Sequence, residues 1–184
     1  MSSHAGCYAF PYMTEYVAFL RGINVAGHGA VTMEDLKKAF EACGFKDVKT
    51  IATSGNVAFS ATMAEAAVVK KAEAALKKRL GRETPVHVRS RDELRKMVQA
   101  DPFKGFTIPN DAKRVITFLD ASGKTGLKLP HHQDGASILR IKDGVAYSAY
   151  VRSPKGAVFM TVLEQAFGKG ITTRTWDMIN RLVK

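Results

Sequence analysis

Two short polar segments contain the side chains best suited to binding an anion. Arg21-Gly22-Ile23-Asn24 follows an apolar run, and Ser54-Gly55-Asn56 ends a second run of β-like sequence. An arginine binds phosphate or carboxylate oxygens through its planar fork, and amides exposed at glycines add further donors. We therefore predict binding of a small anionic or phosphorylated ligand by Arg21, Gly22, Asn24, Ser54, Gly55 and Asn56.

The same residues have a structural interpretation, which stays open beside the first. Arg21 is also suited to an ion pair with a nearby carboxylate, and Asn24 and Asn56 are typical of residues that hold loops through backbone hydrogen bonds. Glu34 and Asp35 already place negative charge in the first turn of the helix that follows. That charge argues against an anion at this helix end.

Arg174 and Trp176 form a second pair of candidate binding residues near the C-terminus. Thr173 is suited to cap a last helix over Arg174–Val183, which puts the tryptophan near the helix start. A tryptophan there usually packs against the core, so stacking on a nucleic-acid base is the less favoured role.

The sequence contains no recognisable catalytic or metal-binding set. Ser54 has no histidine assigned to it, and His28 in the glycine loop has no partner carboxylate. Neither a phosphate-binding loop nor a dinucleotide fingerprint occurs. His131 and His132 are adjacent loop residues that would not share one face of an element. We predict no catalytic residues and no metal site, and the sequence assigns no cofactor.

The elements that must position these residues follow from hydrophobic periodicity and capping signals. Their order is β-α-β-β-α-β, which is the ferredoxin-like arrangement with both helices on one face of an antiparallel sheet. Its first and third strands are neighbours, so the Arg21 and Ser54 segments should meet at one sheet edge. The predicted elements are strand 15–20, a helix capped by Thr32 and stopped by Gly44, strands 47–53 and 57–60, a helix from the capping box 62–65 to Leu80, and strand 85–89.

The C-terminal half reads as a smaller α/β unit after a capping box at 90–93 and a short helix. It has a strand over Arg114–Leu119, a hairpin at Asp143-Gly144 and a helix starting at Ser153-Pro154. The apolar stripe of that helix is Val158, Thr161, Val162, Gln165 and Ala166. We predict a flexible N-terminal extension over 1–13, a ferredoxin-like domain over 14–102 and a second α+β domain over 103–184.

The net charge of +11, from 28 basic and 17 acidic residues, suits nucleic acid, phosphorylated ligands or acidic surfaces. The charge is spread along the chain, which is typical of a solvated basic surface. The strands are nearly continuous apolar runs, so we expect both sheet faces to be covered, with the second domain on the face that lacks helices. Sheet-surface RNA binding needs exposed aromatic residues and is therefore not favoured. The alternative functions are nucleic-acid binding through the basic surface and a protein–protein adaptor.

Cysteine use and hydropathy indicate the compartment. There are two cysteines, Cys7 in the extension and Cys43 near a helix end, so a disulfide framework is not expected. No apolar run approaches the ~20 residues of a membrane-spanning helix. We predict a cytoplasmic protein without membrane contacts; the oligomeric state does not follow from the sequence.

Several motifs together resemble the family catalogued as domain of unknown function 1697. They are Val17 to Val25, Met33 with Leu36, Gly44-Phe45 with Val48, and Ser54-Gly55-Asn56-Val57 with Phe59. Thr172 to Trp176 is similar to the family's closing Thr-x-Arg-Asn-Trp, with Thr175 in place of asparagine and Asp177 where a neutral polar residue is usual. The resemblance covers about residues 14–184. It implies a small cytosolic α+β protein without an agreed substrate.

Overall fold

The computed structural model describes residues 12–23, 31–52, 55–120, 126–154 and 156–184. Within these ranges the protein has five helices and two antiparallel sheets. No helix in the described ranges combines the length and the apolar character needed to cross a membrane. The chain divides into two compact units, residues 1–90 (unit 1) and 91–184 (unit 2). The N-terminal extension falls outside the described residues except for Tyr12 and Met13, which are both exposed.

Unit 1 is a four-stranded antiparallel sheet with two helices. Its sheet order is β2-β3-β1-β4, so β1 is an inner strand with β3 and β4 beside it. Strands and helices follow one another in the predicted order. The elements are β1 (Thr14–Leu20), α1 (Met33–Ala42), β2 (Lys46–Ile51), β3 (Asn56–Ala61), α2 (Glu65–Leu80) and β4 (Val86–Ser90).

Strand β2 forms one edge of this sheet and is irregular. Its register against β3 shifts between Lys46 and Lys49, and Asp47 between them has a positive φ of 52°. The extra residue and the left-handed backbone bend the strand locally, as in a β-bulge.

Alternate residues of the central strands build the core of unit 1. Phe59 of β3 packs against Phe40 of α1 and against Phe45, with ring centroids 5.2 and 4.6 Å apart. On β1 the opposite face is buried too, since Val17 and Phe19 are no more exposed than their neighbours. The apolar run of β1 was therefore a correct sign of burial on both faces. The core includes Tyr16, Ala18, Leu20, Leu36, Ala39, Val57, Val68, Ala72, Leu76, Val86 and Val88.

In unit 1 the predicted cap at Thr32 and the predicted stop at Gly44 are confirmed, and Gly81 ends α2 in the same way. The Thr32 hydroxyl accepts the Asp35 amide at 3.0 Å and donates to the Asp35 carboxylate at 2.7 Å. Gly44 and Gly81 hold the left-handed φ angles expected after a helix. The capping box predicted at Thr62 is wrong, because Ala64 takes the N-cap position of α2 and makes no side-chain bond.

Unit 2 has a five-stranded antiparallel sheet in the order β6-β7-β8-β5-β9. Helix α4 packs on one face through Phe159, Val162 and Leu163. The Phe103 ring meets the rings of Tyr147 and Trp176 edge-on. The elements are α3 (Arg91–Gln99), β5 (Lys113–Phe118), β6 (His131–Gln133), β7 (Ala136–Lys142), β8 (Val145–Tyr150), α4 (Val158–Phe167), β9 (Thr172–Thr175) and α5 (Trp176–Leu182).

The hairpin predicted at Asp143-Gly144 is confirmed. Both residues have positive φ, 50° and 71°, and they join β7 to β8 with Lys142 opposite Val145. Two central residues with positive φ are the requirement of the tight hairpin turn that matches strand twist.

Two short strands of unit 2 were not predicted. His131 and His132 lie in β6 rather than in a loop, paired with β7. Arg174 lies in β9 rather than in a helix, and Thr175 caps α5 by accepting the Met178 amide at 3.3 Å. The predicted cap at Thr173 is wrong because β9 pairs with β5 up to Thr175, so the helix starts later.

The start and the buried face of α4 also differ from the prediction. The helix begins at Val158, since Ser153 pairs with Gly156 in an isolated bridge instead of capping. Thr161 and Gln165 of the predicted stripe are exposed. The buried residues are Phe159, Val162, Leu163 and Phe167, so the large aromatic side chains set the face that packs on the sheet.

Replacing the cap of α1 should destabilise the protein, and Thr62 offers a matched control. Thr32→Ala removes a side-chain cap, which is worth about 1 kcal/mol. Thr62→Ala, at an exposed position outside α2, should leave the urea midpoint unchanged.

The hydrogen bond from the Thr32 hydroxyl, together with Arg79, also lowers the pKa of Asp35. In Thr32→Ala that carboxyl should titrate at higher pH by NMR. The stability difference from the parent should shrink as the pH drops through the pKa of Asp35, down to the part that the bond with the Asp35 amide contributes. Equal urea midpoints for the two variants would contradict the capping assignment.

Candidate functional site

The end of β1 lies beside the start of β3, as predicted for the two anion-binding segments. Phe19 is directly opposite Asn56, and the Leu20 amide donates to the Gly55 carbonyl at 2.9 Å. Arg21 and Gly22 follow at once, so the structure brings both of them close to Gly55 and Asn56. The predicted ligand residues Asn24 and Ser54 lie outside the described residues.

Asn56 is fully buried and holds the connection between β2 and β3. Its side-chain amide donates to the Ile51 carbonyl at 3.1 Å. A buried amide needs such partners, because leaving one unbonded costs about 1–3 kcal/mol. The structural interpretation of Asn56 thus has a definite hydrogen bond behind it.

Gly55 is held by two independent constraints. Its φ of 74° lies in the left-handed region that L side chains rarely adopt. A Cβ built there would stand 2.5 Å from Ile23 Cδ1 and 3.3 Å from Leu20 Cβ. Only glycine satisfies both constraints, and its position allows the chain after β1 to pack over the start of β3.

Arg21 leaves the sheet at a point where three chain segments meet. It is half-buried, and its backbone amide donates to the Pro85 carbonyl at 3.3 Å, just before β4. Gly22 is exposed with a φ of 63°. The Arg82 guanidinium donates to the Gly22 carbonyl at 3.2 Å. This end of β1 therefore carries two arginines.

Sequence analysis did not identify Arg82. Only the strand order places Arg82 at this site. Arg82 lies in the loop before β4, and β4 pairs with β1 from Tyr16 to Leu20. Once the strand order is known, the loop before β4 must arrive beside Arg21.

The acid next to Arg82 in the sequence already has another partner. Glu83, the acid next to Arg82, pairs with Lys77 and thereby raises the pKa of that lysine. Arg82 is half-buried and, among the described residues, has no carboxylate within ion-pair distance. One of its donors is used by Gly22, and the rest of the fork faces no acid of the described chain. Such a guanidinium is suited to an anionic ligand.

Arg174 is a buried cation in unit 2. Only 7% of it is exposed, and its guanidinium donates to the Thr172 hydroxyl at 2.9 Å and to the Thr173 carbonyl at 2.8 Å. Burial lowers its pKa to about 10, which leaves it protonated at neutral pH. These bonds tie the side chain to its own strand, β9.

Trp176 is a core residue of unit 2 at the start of α5. It is 6% exposed, and its ring lies 5.2 Å from that of Phe103 at an interplanar angle of 70°. A base cannot stack on a ring that the core already covers. The favoured packing role of the tryptophan therefore has a named partner.

Comparison with known proteins adds a family and a fold. A family model described as "Protein of unknown function (DUF1697)" matches residues 13–147. No curated protein matches the chain. The solved structure of a conserved bacterial protein from Streptococcus pneumoniae is similar, with a TM-score of 0.66 and 18% identity over 94% of this chain and 98% of the other. At that identity the likeness concerns the fold alone.

Substituting Gly55 should separate its two constraints. Gly55→Ala forces alanine into the left-handed region, which costs about 1–2 kcal/mol, and adds the overlap with Ile23. Gly44→Ala is the matched control, since Gly44 has the same φ of 74° but no atom within 4 Å of the position that a Cβ would take. We expect Gly55→Ala to lower the free energy of unfolding clearly more than Gly44→Ala does, measured by urea denaturation.

The steric part can be isolated by a double-mutant cycle with Ile23→Val, which deletes Cδ1. In the Ile23→Val background, Gly55→Ala should cost less, because the closest contact is gone. Equal costs in both backgrounds would show that the Cδ1 contact contributes nothing, and equal costs for the two glycine variants would show the same of the whole close approach.

Proposed function

The chain belongs to the DUF1697 family of proteins of unknown function, and from this premise we propose that it binds a small anionic or phosphorylated ligand at the end of β1. The ligand groups are the side chains of Arg21 and Arg82 and the exposed backbone at Gly22, while the buried Gly55 and Asn56 fix the strand end that carries them. Asn24 and Ser54 are further donors in this proposal. In this proposal Arg174 and Trp176 do not bind the ligand but support the fold of unit 2.

The observation that carries the proposal is the position of Arg82. It approaches Gly22 from the loop before β4, with its guanidinium 3.2 Å from the Gly22 carbonyl, while Arg21 follows β1 on the same strand end. A guanidinium supplies paired donors to phosphate or carboxylate oxygens, and this strand end has two arginines. The exposed Gly22 lets a ligand approach the backbone closely.

The proposal includes a ferredoxin-like arrangement of unit 1 and a cytoplasmic location. The element order β-α-β-β-α-β and the sheet order β2-β3-β1-β4 support the arrangement. In this arrangement the strand end at Arg21 is next to the loops that precede α1 and β4. The buried free thiol of Cys43 fits a reducing compartment.

Nucleic-acid binding and a role as a protein–protein adaptor are the two alternatives to anion binding. The aromatic residues that a sheet-surface RNA site would need, Tyr16, Phe19 and Phe59, are at most 8% exposed. The net charge of +11 alone favours nucleic acid, and salt dependence measures that contribution directly.

Thermal-shift titration with inorganic pyrophosphate tests the site. A ligand that binds only the native state raises the melting temperature of the parent protein. Arg82→Gln should weaken binding about tenfold or more, because it deletes a charge-assisted contact. Arg21→Lys keeps the charge but loses the fork, so it should also weaken binding while the unliganded protein stays near parental stability. Lys78→Gln, an exposed charge near the same end of α2, is the matched control and should bind as the parent does.

Pyrophosphate affinities that are equal in the parent, Arg21→Lys and Arg82→Gln would refute the site. Titration with duplex DNA and single-stranded RNA at rising salt supplies the alternative. Binding that falls steeply with salt and ignores Arg82→Gln would favour the basic surface as a nucleic-acid interface.

A further inference from the structure

Unit 2 contains a pocket of 410 Å³ that the anion-site motifs do not touch. It opens between the end of α3 and the start of β5, where residues 101–112 connect the two elements. Its volume falls within the usual range of small-molecule sites, roughly 300–1,000 Å³. The residues that matter for recognition are Asp101, Phe103, Lys104, Phe106, Asn110 and Arg114.

Arg114 is the first cation of this pocket. Its guanidinium lies 5.6 Å from the centroid of the Phe103 ring. The attraction of a cation to an aromatic ring uses none of its N–H groups in a hydrogen bond to an acid, so those donors stay available to a ligand. No carboxylate of the described residues lies within ion-pair distance of Arg114, although the side chain is exposed.

Arg140 and Lys104 add positive charge around the pocket. The Arg140 guanidinium lies 5.2 Å from the centroid of the Phe106 ring, which is part of the pocket wall. Arg140 is opposite Tyr147 in the sheet, and Tyr147 also contacts Phe103. Lys104 is exposed on the wall itself. Two cations, Lys104 and Arg114, therefore line the cavity, and Arg140 adds a third over the ring of Phe106.

The aromatic wall is anchored in the core. Phe103 is 4% exposed and packs edge-on against Trp176 at 5.2 Å and Tyr147 at 6.0 Å. An arginine that rests on an anchored ring is itself held in place, so less side-chain freedom is lost when an anion binds. This order favours a built site over a loose surface charge.

Asp101 and Asn110 give the pocket a second chemical character. A carboxylate in the wall disfavours a ligand that is anionic throughout, but it accepts hydrogen bonds from hydroxyl groups, as the Asn110 carbonyl oxygen does. Cations and acceptors in one cavity match a molecule with a phosphate at one end and hydroxyl groups at the other. We infer that this pocket binds a sugar phosphate or a similar phosphorylated polyol.

The test is NMR titration of the ¹⁵N-labelled full-length chain with ribose 5-phosphate, with ribose and inorganic phosphate in separate arms. We expect amide shifts within 101–114 and weaker binding of both fragments. Arg114→Gln should weaken ribose 5-phosphate at least tenfold. Lys113→Gln is the matched control: Lys113 precedes Arg114 on β5, so its side chain points to the other face of the sheet, and binding should stay within twofold of the parent.

Asp101→Asn should weaken ribose 5-phosphate while inorganic phosphate binds at least as well as in the parent, because a repelling charge is removed, and this contrast tests the hydroxyl-binding end. If Arg114→Gln does not fold, the exposed Lys104→Gln makes the same test of charge. No shifts within 101–114, a parental affinity in the charge variants, or equal binding of phosphate and ribose 5-phosphate would each overturn the inference.

Arg82→Gln separates this inference from the anion site of unit 1. That variant should leave the shifts within 101–114 unchanged, and pyrophosphate binding should respond to Arg82 rather than to Arg114. Loss of the 101–114 shifts in Arg82→Gln would place ribose 5-phosphate at the end of β1 and overturn the second site.

Discussion

The backbone hydrogen bond from Leu20 to Gly55 determines where the central strand of unit 1 ends. With no side chain at residue 55, Ile23 and Leu20 pack directly onto the backbone there. The register that follows puts Asn56 opposite Phe19 and within reach of the Ile51 carbonyl. Arg21 then turns toward the segment before β4. The position of Arg21 thus depends on one close backbone contact, and Arg82 reaches Gly22 because β4 pairs with β1.

Unit 2 differs from unit 1 in having a buried cation, Arg174. Arg174 gives its N–H groups to Thr172 and to the backbone beside it, and burial lowers its pKa to about 10 without neutralising it at pH 7. Threonine hydroxyls recur nearby, with those of Thr117 and Thr173 2.9 Å apart across β5 and β9. Arg174 finds its partners within β9 and Thr173 finds one on β5, which allows a polar strand such as β9 at the edge of this sheet.

Features that a few consecutive residues determine could be predicted from the sequence. The Thr32 cap, the Gly44 stop and the Asp143-Gly144 hairpin are local chemistry, and the structure has all three. Strands β6 and β9 have three and four residues, and they become strands only by pairing with β7 and β5. No periodicity can develop over so few positions.

The residues of the candidate sites also differ in whether the sequence could predict their positions. Adjacency of the Arg21 and Gly55 segments followed from the predicted strand order, but Arg82 and Arg114 have no local signal. Arg82 matters because β4 lies beside β1, and Arg114 because the segment after α3 brings the Phe103 ring to its guanidinium. The predicted buried face of α4 was wrong for a related reason. Thr161 and Gln165 have the spacing of one helix face, but the large side chains of Phe159 and Phe167 determine which face packs against the sheet. Thr175 caps α5 through its hydroxyl, a role that asparagine also suits.

The irregular edge strand β2 has a consequence for behaviour in solution. An exposed strand edge offers unpaired amides and carbonyls to the same edge of another molecule, which is a route to aggregation. Here a second chain would meet the left-handed bend at Asp47 and the positive charges of Lys46 and Lys49. Regular strand pairing cannot continue across such a kink, and like charges from two copies would repel. We expect this irregularity to oppose intermolecular pairing along the β2 edge at high protein concentration.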